Sequence, residues 1–284
     1  MIFLISLALA LGIALGLWKP LRKHPLPFYL GAAAISLAVA VCSWLNVRFP
    51  DWFAAWVFPV FARGALGGAL FVVVMALGAL PNGSKAAKRL MPIRGPLSIL
   101  ACIFALAHVG AYAPTYLSAL FTRFSRLGTV MVIAILGSVL LVLVMLPLFV
   151  TSFMKVRKKM KGKTWKRLQR FAYVFYALLY AHVMLLCVPS AVQGRAGYRL
   201  TVFVYSLVFL SYALCRVMKA VAQREKTTDT LLKKQAGGVA CGTVMAGLIL
   251  LTVVFAGNAS AAQNELDAAL ALQEAQAAAQ AAVT

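Results

Sequence analysis

The stretch RLQRFAYVFYALLYAHVMLLCV, residues 167–188, combines the two features on which the interpretation of this chain depends. Seventeen of the eighteen residues after Arg170 are apolar, aromatic or cysteine. A helical run of this length can cross the hydrocarbon core of a bilayer, which takes about 20 residues. The exception is His182, and an ionisable side chain at membrane depth is costly and usually functional. The stretch therefore predicts a membrane-spanning helix that carries a functional histidine.

The whole chain has the composition of an integral membrane protein. Of its 284 residues, 63% are hydrophobic and only 12% are charged, and the mean hydropathy is +0.90. Apolar runs long enough to span a bilayer occur at about 2–18, 27–47, 64–80, 95–114, 127–150, 171–188, 200–215 and 236–256. We therefore predict an all-α fold, a polytopic membrane bundle of about eight transmembrane helices over residues 1–256, followed by an Ala- and Gln-rich tail over 257–284.

The net charge of +22 is divided unequally between the two sides of the predicted bundle. Twenty-two of the 28 Lys and Arg residues, including every Lys, lie in alternate segments between the spans, at 19–24, 81–94, 151–170 and 216–234. Basic residues concentrate on the cytoplasmic side of membrane proteins, so we expect both termini to lie outside. We therefore interpret the positive charge as a sign of membrane topology, with attraction to anionic membrane lipid as an added role. Nucleic-acid binding is not expected.

Two further segments lie outside the predicted spans. The outward segment RFPDWFAAWVFPVFAR, residues 48–63, carries two Trp and four Phe, a composition that predicts a helix lying in the membrane interface. The tail at 257–284 has a weak Leu stripe, so a helix that docks a partner and a frayed end both fit it.

The chain has three histidines, and two of them lie inside predicted spans. His24 is interpreted as a solvated residue at the cytoplasmic mouth of the first span. His108 follows Arg94 by 14 residues, or roughly 21 Å at 1.5 Å per helical residue. His182 follows Arg170 by 12 residues, or roughly 18 Å. The two imidazoles are thus expected at nearly the same depth, where they could form the axial pair of a haem iron in a helix bundle.

The neighbours of these histidines are compatible with a haem. Small residues flank His108 at helical spacings and would leave room for a macrocycle, namely Ala101, Ala105 and Ala111. Outward-side arginines could pair with the propionates, namely Arg123, Arg126, Arg195 and Arg199. Small residues at contacts between helices are, however, common in any membrane bundle.

Two longer stretches carry a resemblance to a known family. KRLMPIRGPLSILACIFALAHVGAY and PLFVTSFMKVRKKMKGKTWKRLQRFAYVFYALLYAHVMLL resemble the bacterial ferric reductase-like transmembrane family, and within it the YedZ/MsrQ-type haem-binding membrane subunit of the periplasmic methionine sulfoxide reductase system. The resemblance covers about residues 64–215. It implies a six-helix core in a bacterial cytoplasmic membrane, with b-type haem held by His108 and His182.

One departure from the family pattern affects the number of haems. Where the family usually has a histidine, 13 residues before the later haem ligand, this chain has Gln169, and the position 13 before His108 is Gly95. Neither residue is a haem ligand of the expected kind. The resemblance with this departure implies a single haem b in the outer half of the membrane.

The leading hypothesis is therefore a membrane electron-transfer subunit. It would pass electrons from the quinol pool, or from a cytoplasmic flavin reductase, to an extracytoplasmic reductase or flavoprotein, with flavin on that partner and the tail as its docking segment. No catalytic constellation faces outward, so this chain alone is not expected to transform a substrate. The alternative is a haem-free membrane transporter or membrane-anchor subunit, although all six acidic residues lie outside the eight predicted spans.

Overall fold

A computed structural model describes residues 2–81, 83–195 and 197–225 of the chain. The predicted span at 236–256 and the tail at 257–284, with its proposed docking role, lie outside these residues. The described α-helices are α1 Ile2–Gly16, α2 Trp18–Lys23, α3 Pro25–Trp44, α4 Phe58–Ala62, α5 Ala65–Ala79, α6 Lys85–Leu90, α7 Arg94–Thr122, α8 Thr129–Ser152, α9 Met154–Lys159, α10 Gly162–Gln169, α11 Phe171–Val192 and α12 Tyr198–Glu225. A π-helical turn, Phe53–Val57, precedes α4, and short 3₁₀ turns occupy Met91–Ile93 and Phe124–Arg126.

The expected all-α polytopic membrane bundle is confirmed. Five described helical segments are long and apolar enough to cross a membrane, and they contain α3, α7, α8, α11 and α12. A sixth is counted if Phe53–Ala62 and Ala65–Ala79, which are bent by 51° at their junction, form one broken span. Helix α1 has 15 residues, fewer than the about 20 that a straight crossing takes.

Some segments that the sequence assigned to basic loops are helical. Helices α6, α9 and α10 lie within 81–94 and 151–170, and α12 runs past the predicted end at 215 as far as Glu225. Residues 198–225 contain neither Pro nor Gly, so nothing in the local sequence ends the helix. The longer α12 brings Arg216 and Lys219 back to carbonyl groups at the end of α5.

Helix α5 occupies the centre of the bundle. Twelve of its 15 residues are buried, as expected for a helix that is apolar on all sides. Five helices form a closed ring of neighbours, in which α5 packs on α7, α7 on α8, α8 on α11, α11 on α12 and α12 on α5. Helix α3 packs on α7 and α1 packs on α5. In the described part of the chain α7 and α11 make at most marginal contact with each other.

Helices α5 and α7 approach each other closely at Gly67. A Cβ atom added there would lie 2.9 Å from the Ala105 nitrogen and 3.2 Å from the Ala101 oxygen. Small residues permit such backbone contacts between membrane helices. The backbone of α7 at Ala101 and Ala105 therefore takes part in packing on α5, and room for a macrocycle beside these two residues stays a prediction.

The segment at 48–63, which the sequence predicts to lie in the membrane interface, is exposed at its two Trp residues and buried at its end. Trp52 and Trp56 are exposed, whereas Pro59, Val60 and Ala62 at its end are buried against the bundle. The chain then turns sharply at Gly64, which has a φ of +69°, and continues as α5. The buried end of the segment contacts His108 through the carbonyl oxygen of Ala62.

Candidate functional site

His108 lies on α7 and is held by the turn between α4 and α5. Its Nδ1 atom is 2.9 Å from the carbonyl oxygen of Ala62. Because a carbonyl oxygen only accepts, the hydrogen bond requires the proton on Nδ1. The other ring nitrogen, Nε2, then has a free lone pair, which is the form of imidazole that binds a metal.

Gly64 fits closely against the same imidazole. A Cβ atom at this position would lie 3.0 Å from Cγ and 3.1 Å from Cβ of His108. Its φ of +69° is a conformation that residues with a Cβ rarely adopt. On the other side, the Tyr112 ring lies 5.0 Å from the His108 ring, one turn further along α7. These contacts restrict the orientation of the imidazole.

His182 lies on α11 and contacts α8. Its Nδ1 atom is 3.3 Å from the hydroxyl oxygen of Ser138, and that hydroxyl donates its own proton to the carbonyl oxygen of Ala134 at 2.8 Å. Since the single Ser138 proton is already used, the serine oxygen accepts from Nδ1–H of His182. His182 therefore also keeps Nε2 free.

The two histidines lie on α7 and α11, the two helices that flank α8 in the ring. Two imidazoles with Nδ1–H anchored and Nε2 free have the form that axial ligands of a haem iron require. Within the residues that the structure describes there is no group of three or more His, Cys, Asp or Glu side chains that could hold a metal ion by themselves. The residues present thus fit a haem iron with two axial histidines.

The four arginines predicted to pair with propionates lie after the C-terminal ends of α7 and α11, the two helices that carry the histidines. Arg123 and Arg126 are in the connection from α7 to α8, and Arg195 and Arg199 are in or next to the connection from α11 to α12. All four are exposed, and Arg199 donates to the carbonyl oxygen of Ala191 at 3.4 Å. These positions put the four cations at the ends of α7 and α11 that follow the histidines.

Four residues that contact the histidines were not identified from the sequence, namely Ala62, Gly64, Tyr112 and Ser138. A signal existed for Ser138, because it is the one polar side chain between Thr129 and Thr151 in the apolar helix α8. It precedes Ser152 by 14 residues, or roughly 21 Å, a depth like that expected for His108. The alanine and the glycine carried no comparable signal.

The positions that lack family histidines are engaged in helix packing. The Gln169 side-chain amide donates to the Thr151 hydroxyl at 3.3 Å, and Trp165 donates to the Thr151 carbonyl oxygen at 3.1 Å. A Cβ atom on Gly95 would lie 3.6 Å from the Ser152 carbonyl oxygen. The start of α7 and the end of α10 therefore both pack on the end of α8.

Comparison with known proteins agrees with the helical architecture. Residues 63–180 match the family described as ferric reductase like transmembrane component. Over these residues the chain is similar to that family, in line with the resemblance noted in the sequence. The match includes His108 and Ser138 and ends two residues before His182.

The chain is also similar to a protein of Treponema pallidum (strain Nichols) that carries the name "Uncharacterized protein". The two are 35% identical over 222 residues, which is 78% of this chain and 61% of the relative. The chain thus spans about three fifths of the length of that relative. The comparison with solved structures gave no significant match.

Proposed function

We propose that this chain is a membrane electron-transfer subunit that holds a single b-type haem between His108 and His182. The observation that carries the proposal is the paired anchoring of these imidazoles, by Ala62 on one side and Ser138 on the other. When bound, the haem would supply a carrier that accepts and releases one electron at a time.

The residues of the chain have distinct tasks in this proposal. His108 and His182 present Nε2 to the iron, while Ala62 and Ser138 keep the proton on Nδ1. Gly64 sets the position of the His108 ring. The apolar helices of the ring exclude water, which limits proton leakage and keeps the potential at a value set by the protein. The exposed arginines 123, 126, 195 and 199 would face the propionates.

Two observations support one haem instead of two. Gln169 uses its amide in a hydrogen bond to Thr151, and Gly95 offers no side chain and faces the Ser152 carbonyl. A second haem at this end of the ring would need axial ligands of another kind. We therefore propose a single haem in the half of the bundle that contains the histidines.

The predicted topology gives the sides of the membrane on which the proposed donor and acceptor would lie. We propose a bacterial cytoplasmic membrane with both termini outside, as the distribution of Lys and Arg predicts. Electrons would come from quinol, or from a cytoplasmic flavin reductase, and pass to an extracytoplasmic reductase or flavoprotein of the kind that a YedZ/MsrQ-type subunit serves. The substrate-transforming site and the flavin would then belong to the partner.

The proposal is tested on the purified wild-type protein. A dithionite-reduced minus oxidised spectrum should show the α-band of a b-type haem, and a menaquinol analogue should produce the same difference signal. Protein that is prepared with added haem and shows no such band would instead favour a haem-free transporter or membrane anchor. Reduction by NADH with a flavin reductase, but not by the quinol, would replace the proposed donor while leaving the haem in place.

Substitution of Ser138 by alanine should weaken haem binding without removing either ligand. The His182 Nδ1–H loses the Ser138 hydroxyl oxygen as an acceptor, and loss of such an outer contact usually lowers metal affinity by about 10- to 100-fold. The midpoint potential of the remaining haem should also rise, because His182 becomes a weaker electron donor. Haem titration and a redox titration measure the two effects.

Ser43→Ala is the matched control for this variant. The Ser43 hydroxyl also bonds a carbonyl four residues back in its own helix, at Val39, but it contacts no histidine in the described structure. Haem affinity and potential should therefore stay at the wild-type values. Equal effects of the two substitutions would show that Ser138 acts only through helix stability.

A further inference from the structure

Polar side chains join α11 to α12 close to His182. The Tyr180 hydroxyl oxygen lies 2.8 Å from the Ser206 hydroxyl oxygen, and Ser206 donates to the Met184 sulfur at 3.8 Å. Because the single Ser206 proton is used on the sulfur, which only accepts, the serine oxygen accepts from the Tyr180 hydroxyl. Tyr180, Ser206 and Met184 thus form a directed chain of hydrogen bonds, which is called the α11–α12 clamp below.

The α11–α12 clamp lies on the side of α11 opposite His182. Tyr180 precedes His182 by two residues and Met184 follows it by two, and two residues correspond to about 200° around an α-helix. Tyr180 and Met184 are four residues apart, so they are neighbours on one helix face. His182 points the other way, toward Ser138 of α8. The two ring neighbours of α11, α8 and α12, therefore each hold one side of the helix.

Aromatic packing supports the α11–α12 clamp. The Tyr180 ring stacks on Phe209 of α12, with 5.3 Å between the ring centroids. Phe209 also stacks on Tyr176, one turn earlier in α11, with 4.2 Å between the centroids. Phe209 and Tyr176 are both buried, and stacked aromatic pairs favour particular relative positions. Rotation or sliding of α11 against α12 would therefore break the hydrogen bonds and the stacking together.

A small rotation of α11 would displace the ligand nitrogen of His182 considerably. The Cα atoms of a helix lie about 2.3 Å from its axis. The imidazole extends outward from there, so Nε2 lies roughly 6 Å from the axis and moves about 1 Å for a rotation of about 10°. A binding group has to be held within about 0.5 Å of its working position. The contact with Ser138 fixes one atom of the imidazole, whereas the α11–α12 clamp fixes the helix that carries it.

We propose that Tyr180, Met184 and Ser206 are positioning residues that set the rotation of α11 and with it the direction of His182 Nε2. They act through His182 and are not ligands themselves. The role of Nε2 as an iron ligand rests on the proposed function. In the haem-bound protein the α11–α12 clamp fixes the plane of the His182 imidazole relative to that of His108. In the haem-free protein it keeps Nδ1–H of His182 directed at Ser138.

The test compares wild type with Tyr180→Phe, which removes the hydroxyl and keeps the aromatic ring, and with Ser206→Ala, which removes both hydrogen bonds. The EPR spectrum of the oxidised haem should show a shifted and broadened largest g-value in both variants, because this value depends on the angle between the two imidazole planes. The midpoint potential should shift in the same variants. Haem affinity of Tyr180→Phe should fall by at most about 5-fold, the equivalent of one neutral hydrogen bond.

Tyr176→Phe and Ser211→Ala are the matched controls. The Tyr176 hydroxyl is buried on the same helix as Tyr180 and makes no hydrogen bond in the described structure. The Ser211 hydroxyl donates to the carbonyl oxygen of Leu207 within α12. Both variants should keep the wild-type EPR spectrum and midpoint potential. Equal spectral changes in Tyr176→Phe and Tyr180→Phe would mean a general loosening of the helix pair and would overturn the proposal.

A second measurement separates this proposal from haem binding. Nitrogen NMR of the haem-free protein should show His182 with its proton on Nδ1 in wild type and a mixture of both tautomers in Tyr180→Phe. If wild type binds no haem, the proposed function fails and the NMR result alone decides on the α11–α12 clamp. If Ser206→Ala does not fold, Tyr180→Phe gives the answer. A Tyr180→Phe variant with the wild-type EPR spectrum, or with the wild-type tautomer where no haem binds, contradicts the positioning role.

Discussion

Replacement of either His108 or His182 by alanine should remove haem from the purified protein. Each substitution deletes one proposed axial ligand, and the described residues contain no group of three or more His, Cys, Asp or Glu side chains that could hold a metal ion instead. Loss of a ligand should cost more than the about 100-fold loss of affinity that follows removal of an outer contact. The haem-to-protein ratio by pyridine haemochrome assay measures this effect.

His24→Ala controls for the general effect of removing a histidine. His24 is exposed between α2 and α3 and has no place in the proposed site. Its variant should keep the wild-type haem content. Full haem content in either of the other two variants would show that the corresponding histidine is not a ligand.

Gly64→Ala should disturb the site without altering a ligand. The added Cβ atom would lie 3.0 Å from Cγ of His108, so either the ring or the α4–α5 turn must move. The positive φ adds a cost of about 1–2 kcal/mol for a residue with a Cβ. We expect haem affinity to fall at least about 10-fold, since the Nδ1 contact with Ala62 depends on the same turn.

Two other glycines serve as controls that separate backbone strain from contact with the His108 ring. Gly194 has a φ of +75° and no atom within 4 Å of an added Cβ, and Gly68 has ordinary helical geometry and equally open space. Gly194→Ala should therefore lower thermal stability and leave haem affinity unchanged, whereas Gly68→Ala should change neither. The contact explanation fails if Gly64→Ala and Gly194→Ala have the same haem affinity.

The membrane helices could be predicted from the sequence, and the two histidines could be singled out as candidate ligands, because both inferences depend on local patterns. Apolar runs locate membrane helices with little help from tertiary structure, and counting from Arg94 and Arg170 was sufficient to expect His108 and His182 at one depth. The end of α12 was placed too early because a cluster of basic residues was equated with a loop. Those side chains instead reach carbonyl groups of α5.

The contacts that anchor the histidines could be predicted only in part. Ser138 could be recognised from the sequence, because it is a lone polar residue in an apolar helix. The contact of His108 with Ala62 joins residues 46 positions apart and uses a backbone carbonyl, which no side-chain pattern reveals. The role of the alanines near His108 is hard to read from sequence for a related reason, because a small residue looks the same whether it faces a cofactor or Gly67 of another helix.

In the proposed site His108 and His182 hold one haem, and Gln169 marks the loss of a second. The measurement that decides this is the haem-to-chain ratio of the purified wild-type protein, with chain concentration taken from amino-acid analysis. The proposed ligand set gives a ratio of one, since it provides a single pair of axial histidines. A ratio of two would require a second set of ligands near Gln169 or elsewhere, and a ratio of zero after haem supplementation would contradict the electron-transfer proposal itself.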